Sequence, residues 1–375
     1  MPGREQSSPE NSRKSFRYQP ALDGIRAIAV LLVMANHTGF FHAGRLGVDI
    51  FFVLSGYLIT AILVSEFSAN GRINLKKFYA RRALRILPAV IWFLLIVNIC
   101  VAIFQTHREA VTVRWDSLGA LFYIANWLRA FGHDLGILGH LWSLSIEEQF
   151  YFFWPVALVF LLSHKLSARQ IIVIAVLAIL IVNVDRFYLY NGIQSYDRIF
   201  NGLDTRADAL LIGCALGLSG YEIFSQRVFA VLGLLGAILV CYILFVGVPA
   251  NFQLPFELTI GGALFAIGVV FVLAALLSNQ ESIFTKVLQF PPLVWTGRLS
   301  YGLYLWHYFV FAFIASWFRK VEPLRLIPFQ VLGTFVCAAL SYYFVERPFL
   351  RLKKKFSVIK TPVPLTPNPL ETVDH

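Results

Sequence analysis

The chain has 375 residues, of which 58% are hydrophobic and only 14% charged, whereas about a quarter of the residues in an ordinary soluble domain are charged. Its mean hydropathy is +0.69 and its formal net charge is +11, but the basic residues flank apolar runs, as the orientation of membrane helices requires. This composition excludes a soluble domain and a nucleic-acid-binding protein, and it predicts a membrane protein that crosses the bilayer many times.

Ten apolar runs are long enough to cross the hydrocarbon layer, which takes about 20 helical residues. Basic residues adjoin both the first and the last run, so both termini are expected in the cytoplasm, and the number of crossings must be even. We therefore predict an all-α polytopic membrane bundle of about ten transmembrane helices, with residues 116–143 as an outer-side re-entrant or surface segment. The predicted spans are 18–40, 46–66, 84–104, 144–162, 170–189, 205–222, 228–247, 256–277, 299–318 and 325–345.

The predicted organisation has three parts: a cytoplasmic polar tail (1–17), a transmembrane domain (18–350) and a basic, then Pro-rich cytoplasmic tail (351–375). The first tail is too polar and too long for the n-region of a signal peptide, and no small-residue cleavage site closes the first apolar run. This run is therefore expected to remain as a span. The four cysteines stand singly without metal-ligand spacing, and we predict no metal.

The first predicted span, "RAIAVLLVMANH", carries Arg26 and His37 at its two ends. Eleven positions make close to three helical turns, so both side chains share one face and lie about 16 Å apart along the axis. We predict a polar stripe with Arg26 in the cytoplasmic third and His37 in the outer third. The alternative is that Arg26 extends to the cytoplasmic interface while His37 caps the outer helix end.

The second and third spans bring further polar groups to the cytoplasmic half. The run "FFVLSGYLIT" places Ser55 and Gly56 at mid-depth, where glycine permits close approach of a neighbouring helix or of a slim ligand. In "YARRALRILP", Arg81, Arg82 and Arg85 lie at the start of the third span, and forked guanidinium groups at a helix N-terminus suit phosphate. Orientation of the helix or contact with lipid headgroups explains the same cluster equally well.

The outer half carries acidic and aromatic residues. In "HLWSLSIEEQFYFFWP", Glu147 and Glu148 point about 100° apart on a helix, and we expect Glu147 to face His37; interfacial charges are the alternative. His307 in "SYGLYLWHYF" is mid-span and is as consistent with a structural as with a functional role. The residues expected to bind an acceptor are Asp49, His140, Trp142, Glu148, Arg206, Asp208 and His307.

A basic inner mouth, a narrow polar path and a distant imidazole suit a donor with a phosphate-rich head and a long slim arm, such as an acyl-coenzyme A. His37 would act as general base on an acceptor hydroxyl or take the acyl group and pass it on. Glu147 and Arg26 complete the predicted catalytic set. The residues expected to hold the donor are Arg26, Ser55, Gly56, Arg81, Arg82 and Arg85.

Seven segments in order give the chain a family resemblance from about residue 18 to 350: "LDGIRAIAVLLVMANH", "GVDIFFVLSGYLIT", "FYARRALRILPA", "HLWSLSIEEQFYFFWP", "TRADALLIGCALG", "LSYGLYLWHYF" and "SYYFVERPF". The chain resembles the acyltransferase-3 family of integral-membrane O-acyltransferases. The family's arginine-x10-histidine motif falls on Arg26 and His37, its SG motif on Ser55 and Gly56, its arginine pair on Arg81 and Arg82, and its glutamate on Glu147.

The resemblance implies transfer of an acyl group, usually acetyl, from cytoplasmic acyl-CoA to a hydroxyl of a carbohydrate, glycolipid or small molecule, in a bacterial cytoplasmic (inner) membrane. Some relatives carry a C-terminal hydrolase-like domain, which we do not expect here. A transporter that moves a polar or acyl-bearing substrate along the same path is the alternative, although transporters often show repeated halves and we find no repeat. A non-catalytic scaffold is a third possibility.

Overall fold

The computed structural model describes residues 18–192, 195–219, 225–247 and 257–353, and within these residues it contains helices and no strand. The prediction of an all-α membrane bundle is confirmed. The first predicted tail (1–17) and most of the last (351–375) lie outside the described residues. The α-helices are α1 (Pro20–His37), α2 (Gly47–Asn70), α3 (Leu75–Phe104), α4 (His107–Leu121), α5 (Ala125–Ala130), α6 (Trp142–Ser163), α7 (Ala168–Gly192), α8 (Tyr196–Asn201), α9 (Leu203–Ser219), α10 (Gln226–Tyr242), α11 (Gly262–Ser278), α12 (Ile283–Leu288), α13 (Pro291–Trp317), α14 (Pro323–Leu340) and α15 (Arg347–Lys353).

Eight helical stretches among the described residues are long and apolar enough to cross a membrane, and each overlaps one of the ten predicted spans. The protein is therefore an integral, multi-pass membrane protein. Short 3₁₀ or π-helical segments extend several of these helices at their ends. The eight stretches are His42–Asn70, Leu75–Phe104, Gly136–Ser163, Ala168–Gly192, Gln226–Val246, Thr259–Ser278, Pro291–Trp317 and Pro323–Leu352.

The first predicted span, 18–40, corresponds to α1, which is not among the eight because charged and polar side chains offset its apolar ones. Helix α1 runs parallel to α13. At one end a Cβ on Gly297 would overlap the backbone carbonyl of Asp23, and at the other end the rings of His37 and His307 lie 4.9 Å apart. This close packing places the whole length of α1 inside the bundle.

The predicted span 205–222 corresponds to α9, which runs parallel to α2. Asp49 and Arg206 pair at one end, and further along a Cβ on Gly56 would overlap the carbonyl oxygen of Leu210. Helix α9 thus follows α2 through the bundle, although its 17 described residues make it too short to be among the eight. Ten crossings remain a prediction.

The predicted outer-side segment, 116–143, contains the end of α4, all of α5 and the 3₁₀ turn Gly136–Leu141, which leads directly into α6. Helix α4 has 15 residues, too few to cross a bilayer. Two contacts hold its C-terminal half: Asn98 on α3 donates to Ser117 at 2.7 Å, and Asp116 lies 2.7 Å from the ring of His133. The side of the membrane on which this segment lies remains a prediction.

Candidate active site

A cavity of about 530 Å³ lies between α1, α2, α3, α6 and α13. Tyr18 and Arg298 line one end, and Ser143 and Tyr304 line the other. Because Tyr18 precedes α1 and Arg298 lies in the first third of α13, we call the first end the inner mouth. Ser143 is at the start of α6 and Tyr304 is near His307, so the second end approaches the region of His37.

Five arginines line this cavity, and four of them belong to the predicted donor-binding set. The Nη2 of Arg82 lies 3.7 Å from Glu148 and its guanidinium lies 3.5 Å from the ring centroid of Tyr151. The Nη2 of Arg81 lies 3.2 Å from Glu66. The first turns of α3 thus bring the predicted cluster to one wall, where it can hold an anionic ligand. The five arginines are Arg26, Arg81, Arg82, Arg85 and Arg298.

Four carboxylates line the same cavity, so it is polar and of mixed charge: Asp23, Glu147, Glu148 and Glu346. The hydroxyl of Ser55 donates to Glu147 at 2.6 Å across the gap between α2 and α6. Glu147 lies more than one helical turn inward from the start of α6, and this depth places it beside Ser55. The predicted contact between Glu147 and His37 is absent among the described hydrogen bonds, and Glu147 belongs to the cavity wall.

Gly56 is not among the lining residues that the structure describes. A side chain at Gly56 would collide with Leu210 on α9, as would one at Gly213 with Val53 on α2. The close approach that the glycine permits is therefore taken up by helix packing, and of the SG pair only Ser55 faces the cavity.

Three histidines form a second group beyond the cavity. His37, the last residue of α1, is exposed, and its Nδ1 lies 3.0 Å from the Val33 carbonyl and 3.2 Å from Nε2 of His307. His307 is fully buried, and its Nδ1 lies 2.7 Å from the Tyr304 carbonyl. His140 contacts His307 with ring centroids 5.2 Å apart. The structure thus brings together three predicted residues from three helical elements.

When His37 and His307 are both neutral, the hydrogen bonds of this group fix their tautomers. A carbonyl oxygen only accepts, so Nδ1 of His307 carries the proton that it donates to Tyr304, and its Nε2 is an acceptor. The Nδ1 of His37, which faces that acceptor and the Val33 carbonyl, must then be the donor. The Nε2 of His37 is left with its lone pair, which is the arrangement that a general base needs.

Tyr304 lies between the cavity and these histidines, because it lines the cavity and its ring centroid is 5.5 Å from that of His307. The hydroxyl of Tyr304 donates to the backbone carbonyl of His140 at 2.9 Å and also pairs with the hydroxyl of Ser143. His140 is itself held by a 3.1 Å hydrogen bond from Nε2 to the Leu305 carbonyl. None of the three histidines is a described lining residue of the cavity. This cavity therefore ends at Ser143 and Tyr304, and a continuous path from Arg26 to His37 stays a prediction.

Three predicted acceptor-binding residues, Asp49, Arg206 and Asp208, form buried ion pairs away from the cavity. Asp49 accepts from Nη2 of Arg206 at 2.9 and 3.0 Å, and the ring of Trp142 lies 5.9 Å from that guanidinium. Asp208 pairs with Arg186 of α7. Buried charges require such partners, so these residues join α2, α7 and α9, and their role toward an acceptor remains a prediction.

Sequence reasoning missed Tyr304, Ser143, Arg129 and Glu346. Tyr304 lies three residues before His307, so the two share a helix face, and this spacing was a usable signal. Arg129 of α5 donates to the Gly139 carbonyl at 3.0 Å and holds the turn that carries His140. Glu346 lies in the matched segment "SYYFVERPF". The pairing of these residues across elements had no signal in the sequence.

Residues 19–346 match the model of the acyltransferase domain family. The chain belongs to this family. Because both the cavity and the histidine group lie within the matched residues, membership favours acyl transfer over the transporter alternative. An acyltransferase needs a place for its donor and a base near the acceptor, and these two regions are the candidates.

The family also contains named relatives. The chain is 38% identical to the peptidoglycan O-acetyltransferase OatA of Listeria monocytogenes, over 90% of this chain and 56% of that protein. It is 38% identical to the putative peptidoglycan O-acetyltransferase YrhL of Bacillus subtilis, over 88% of this chain and 55% of the relative. It is 33% identical to the O-acetyltransferase OatA of Staphylococcus aureus, over 89% of this chain and 57% of that protein. The chain thus spans little more than half the length of these relatives. No solved structure matches it.

Proposed function

We propose that the protein transfers an acetyl group from cytoplasmic acetyl-CoA to a carbohydrate hydroxyl at the outer side of a bacterial cytoplasmic membrane. The observation that carries this proposal is a cavity lined by five arginines whose far end, at Tyr304, adjoins the histidine group. Two relatives are named as peptidoglycan O-acetyltransferases, and these names support acetyl as the transferred group and a peptidoglycan-type glycan as the acceptor.

The shape of the cavity suits a thioester of coenzyme A. Ligand pockets commonly measure about 300–1,000 Å³, and this one measures about 530 Å³. Arg26, Arg82 and Arg85 would hold the diphosphate through charge-assisted hydrogen bonds. The pantetheine arm would run past Ser55 toward Ser143, a distance on the order of the ~16 Å between Arg26 and His37 along α1.

His37 is the proposed general base. Its Nε2 would take the proton of the acceptor hydroxyl, whose oxygen attacks the thioester carbonyl; the carbon–sulfur bond breaks and the coenzyme A thiolate leaves. His307 would hold the ring of His37 in the required tautomer. Because Tyr304 lines the cavity and also contacts His307, its side chain would move aside before the carbonyl and the hydroxyl meet.

The same groups also permit a relay, in which Nε2 of His37 first accepts the acetyl group and then gives it to the acceptor. The direct route needs one proton transfer to His37 and one attack by the acceptor oxygen on the thioester. His37 is exposed, so an acceptor can reach it from outside. We therefore propose the direct route. Trapping of an acetylated His37 after rapid mixing with donor alone would replace it with the relay.

Acetyl transfer tests the proposal. Membranes containing the full chain receive acetyl-CoA with a radiolabelled acetyl group and peptidoglycan fragments, and the label in the glycan is measured. We expect transfer by the wild type, a loss of at least about 100-fold in His37→Ala, since a positioned base contributes about 10²–10⁴-fold, and full activity in His164→Ala, an exposed histidine at the far end of α6. Full activity of His37→Ala would remove the proposed base.

A further inference from the structure

Three side chains form a hydrogen-bonded cluster at the inner mouth of the cavity, and none of them was predicted as a site residue. The hydroxyl of Tyr18 donates to Asp23 at 2.6 Å and accepts from Nη2 of Arg298 at 3.0 Å. The Nε of Arg298 lies 3.8 Å from the Asp23 carboxylate. All three side chains line the cavity, so the cluster fixes a guanidinium at its entrance.

The cluster lies farther from the histidines than Arg26 does. Asp23 precedes Arg26 by three residues on α1, which places it about 4.5 Å nearer the cytoplasmic end of the helix. The side chain of Arg298 is 54% exposed, whereas that of Arg82 is 25% exposed. A ligand that fills the cavity would therefore meet Arg298 with the part that remains outside.

Coenzyme A carries its phosphates in two places. The diphosphate joins the pantetheine arm to the ribose, and a separate monoester sits on the ribose 3′-oxygen, on the side away from the thiol. When the thioester points toward Tyr304 and the diphosphate lies beside Arg26, the ribose with its 3′-phosphate falls at the inner mouth. A guanidinium fork matches the oxygens of a phosphate monoester.

We propose that Arg298 binds the ribose 3′-phosphate of the acyl-CoA donor, and that Tyr18 and Asp23 hold its guanidinium in position. This assignment rests on the proposed function. The hydrogen bond to Tyr18 uses one of the five N–H donors of Arg298, and Asp23, 3.8 Å from Nε, contributes an ion pair. The fork therefore retains donors for a phosphate. The carboxylate of Asp23 also accepts a hydrogen bond from the Tyr18 hydroxyl, so its negative charge is shared between Tyr18 and Arg298.

The test compares acetyl-CoA with acetyl-3′-dephospho-CoA, which lacks only this phosphate, as donors for the full chain in lipid nanodiscs. In the wild type we expect the KM for acetyl-CoA to be about 10-fold lower than the KM for acetyl-3′-dephospho-CoA, which is the effect of one charge-assisted contact. In Arg298→Gln the KM for acetyl-CoA should rise about 10-fold while that of the dephospho donor stays within about twofold, with kcat unchanged, as for a contact equal in ground and transition states. Arg325→Gln, at an exposed arginine in the first turn of α14 that pairs with Glu322, is the matched control and should behave as the wild type.

Equal KM values for the two donors in the wild type would overturn the assignment, as would an equal rise for both donors in Arg298→Gln. The second result is also expected if Arg298 binds a lipid headgroup phosphate instead. Should Arg298→Gln fail to fold, Arg298→Lys keeps the charge without the fork and is expected to retain a preference of about threefold; an unchanged preference overturns the proposal. Absence of transfer from either donor in the wild type would instead contradict the proposed function.

Discussion

The buried pair between Asp49 and Arg206 yields the sharpest prediction about stability. Their side chains are 3% and 7% exposed, and one guanidinium nitrogen lies 2.9 Å from the carboxylate. Removal of one partner takes this ion pair away from a buried charge, which costs about 3–5 kcal/mol. We therefore expect Asp49→Ala and Arg206→Ala each to lower the free energy of unfolding by about that amount.

Apolar replacement of both partners provides the control. Asp49→Leu combined with Arg206→Met removes both charges and keeps most of the volume, and such replacements are often neutral or stabilising by about 1–4 kcal/mol. Reversible unfolding of the purified protein by sodium dodecyl sulfate in mixed micelles, followed by tryptophan fluorescence, measures all three variants. The double variant should be more stable than either single one.

An acceptor-binding role for the same residues predicts a different pattern. The single variants would then lose less than about 1 kcal/mol of stability, and the KM for the glycan acceptor would rise in the single and double variants alike. That combination would refute the structural interpretation of the pair. A stable double variant with an unchanged acceptor KM would support it.

Two further predictions concern the histidine group and the α2–α9 contact. Replacement of His307 by Ala should lower kcat by about 100-fold with little change in the donor KM, and His307→Gln, whose amide oxygen can accept from Nδ1 of His37, should recover part of it; equal loss in both variants in the transfer assay would contradict the tautomer argument. Gly56→Ala inserts a methyl group against the Leu210 carbonyl and should lower the free energy of unfolding by about 1–3 kcal/mol; a raised donor KM with normal stability would instead place Gly56 in the donor path.

The sequence was sufficient for the spans because hydrophobic length alone selects them. The apolar runs also predicted α1 and α9 as spans, although Arg26 lowers the hydropathy of α1 and α9 has only 17 described residues. The runs did not predict which helices these two pack against, because the parallel contacts of α1 with α13 and of α9 with α2 are tertiary.

The candidate site shows the same division between local and tertiary information. The arginines of α3 cluster because they lie three and four positions apart on one helix, so the spacing predicted their neighbourhood. Asp49 and Arg206 are separated by 157 positions, and nothing local indicates that they satisfy one another. Glu147 was expected near His37, but its depth on α6 brings it to Ser55.

The position of Tyr304 between the cavity and the histidines has a physical consequence under the proposed function. A thioester that lay in an open channel to the outer face would meet water beside the same base that activates the acceptor, and hydrolysis would compete with transfer. The hydrogen bonds of Tyr304 to His140 and Ser143 would keep the donor apart from the exposed His37 until the ring moves. The thioester and the acceptor hydroxyl beside His37 would then meet only after that movement, which would protect the donor from water.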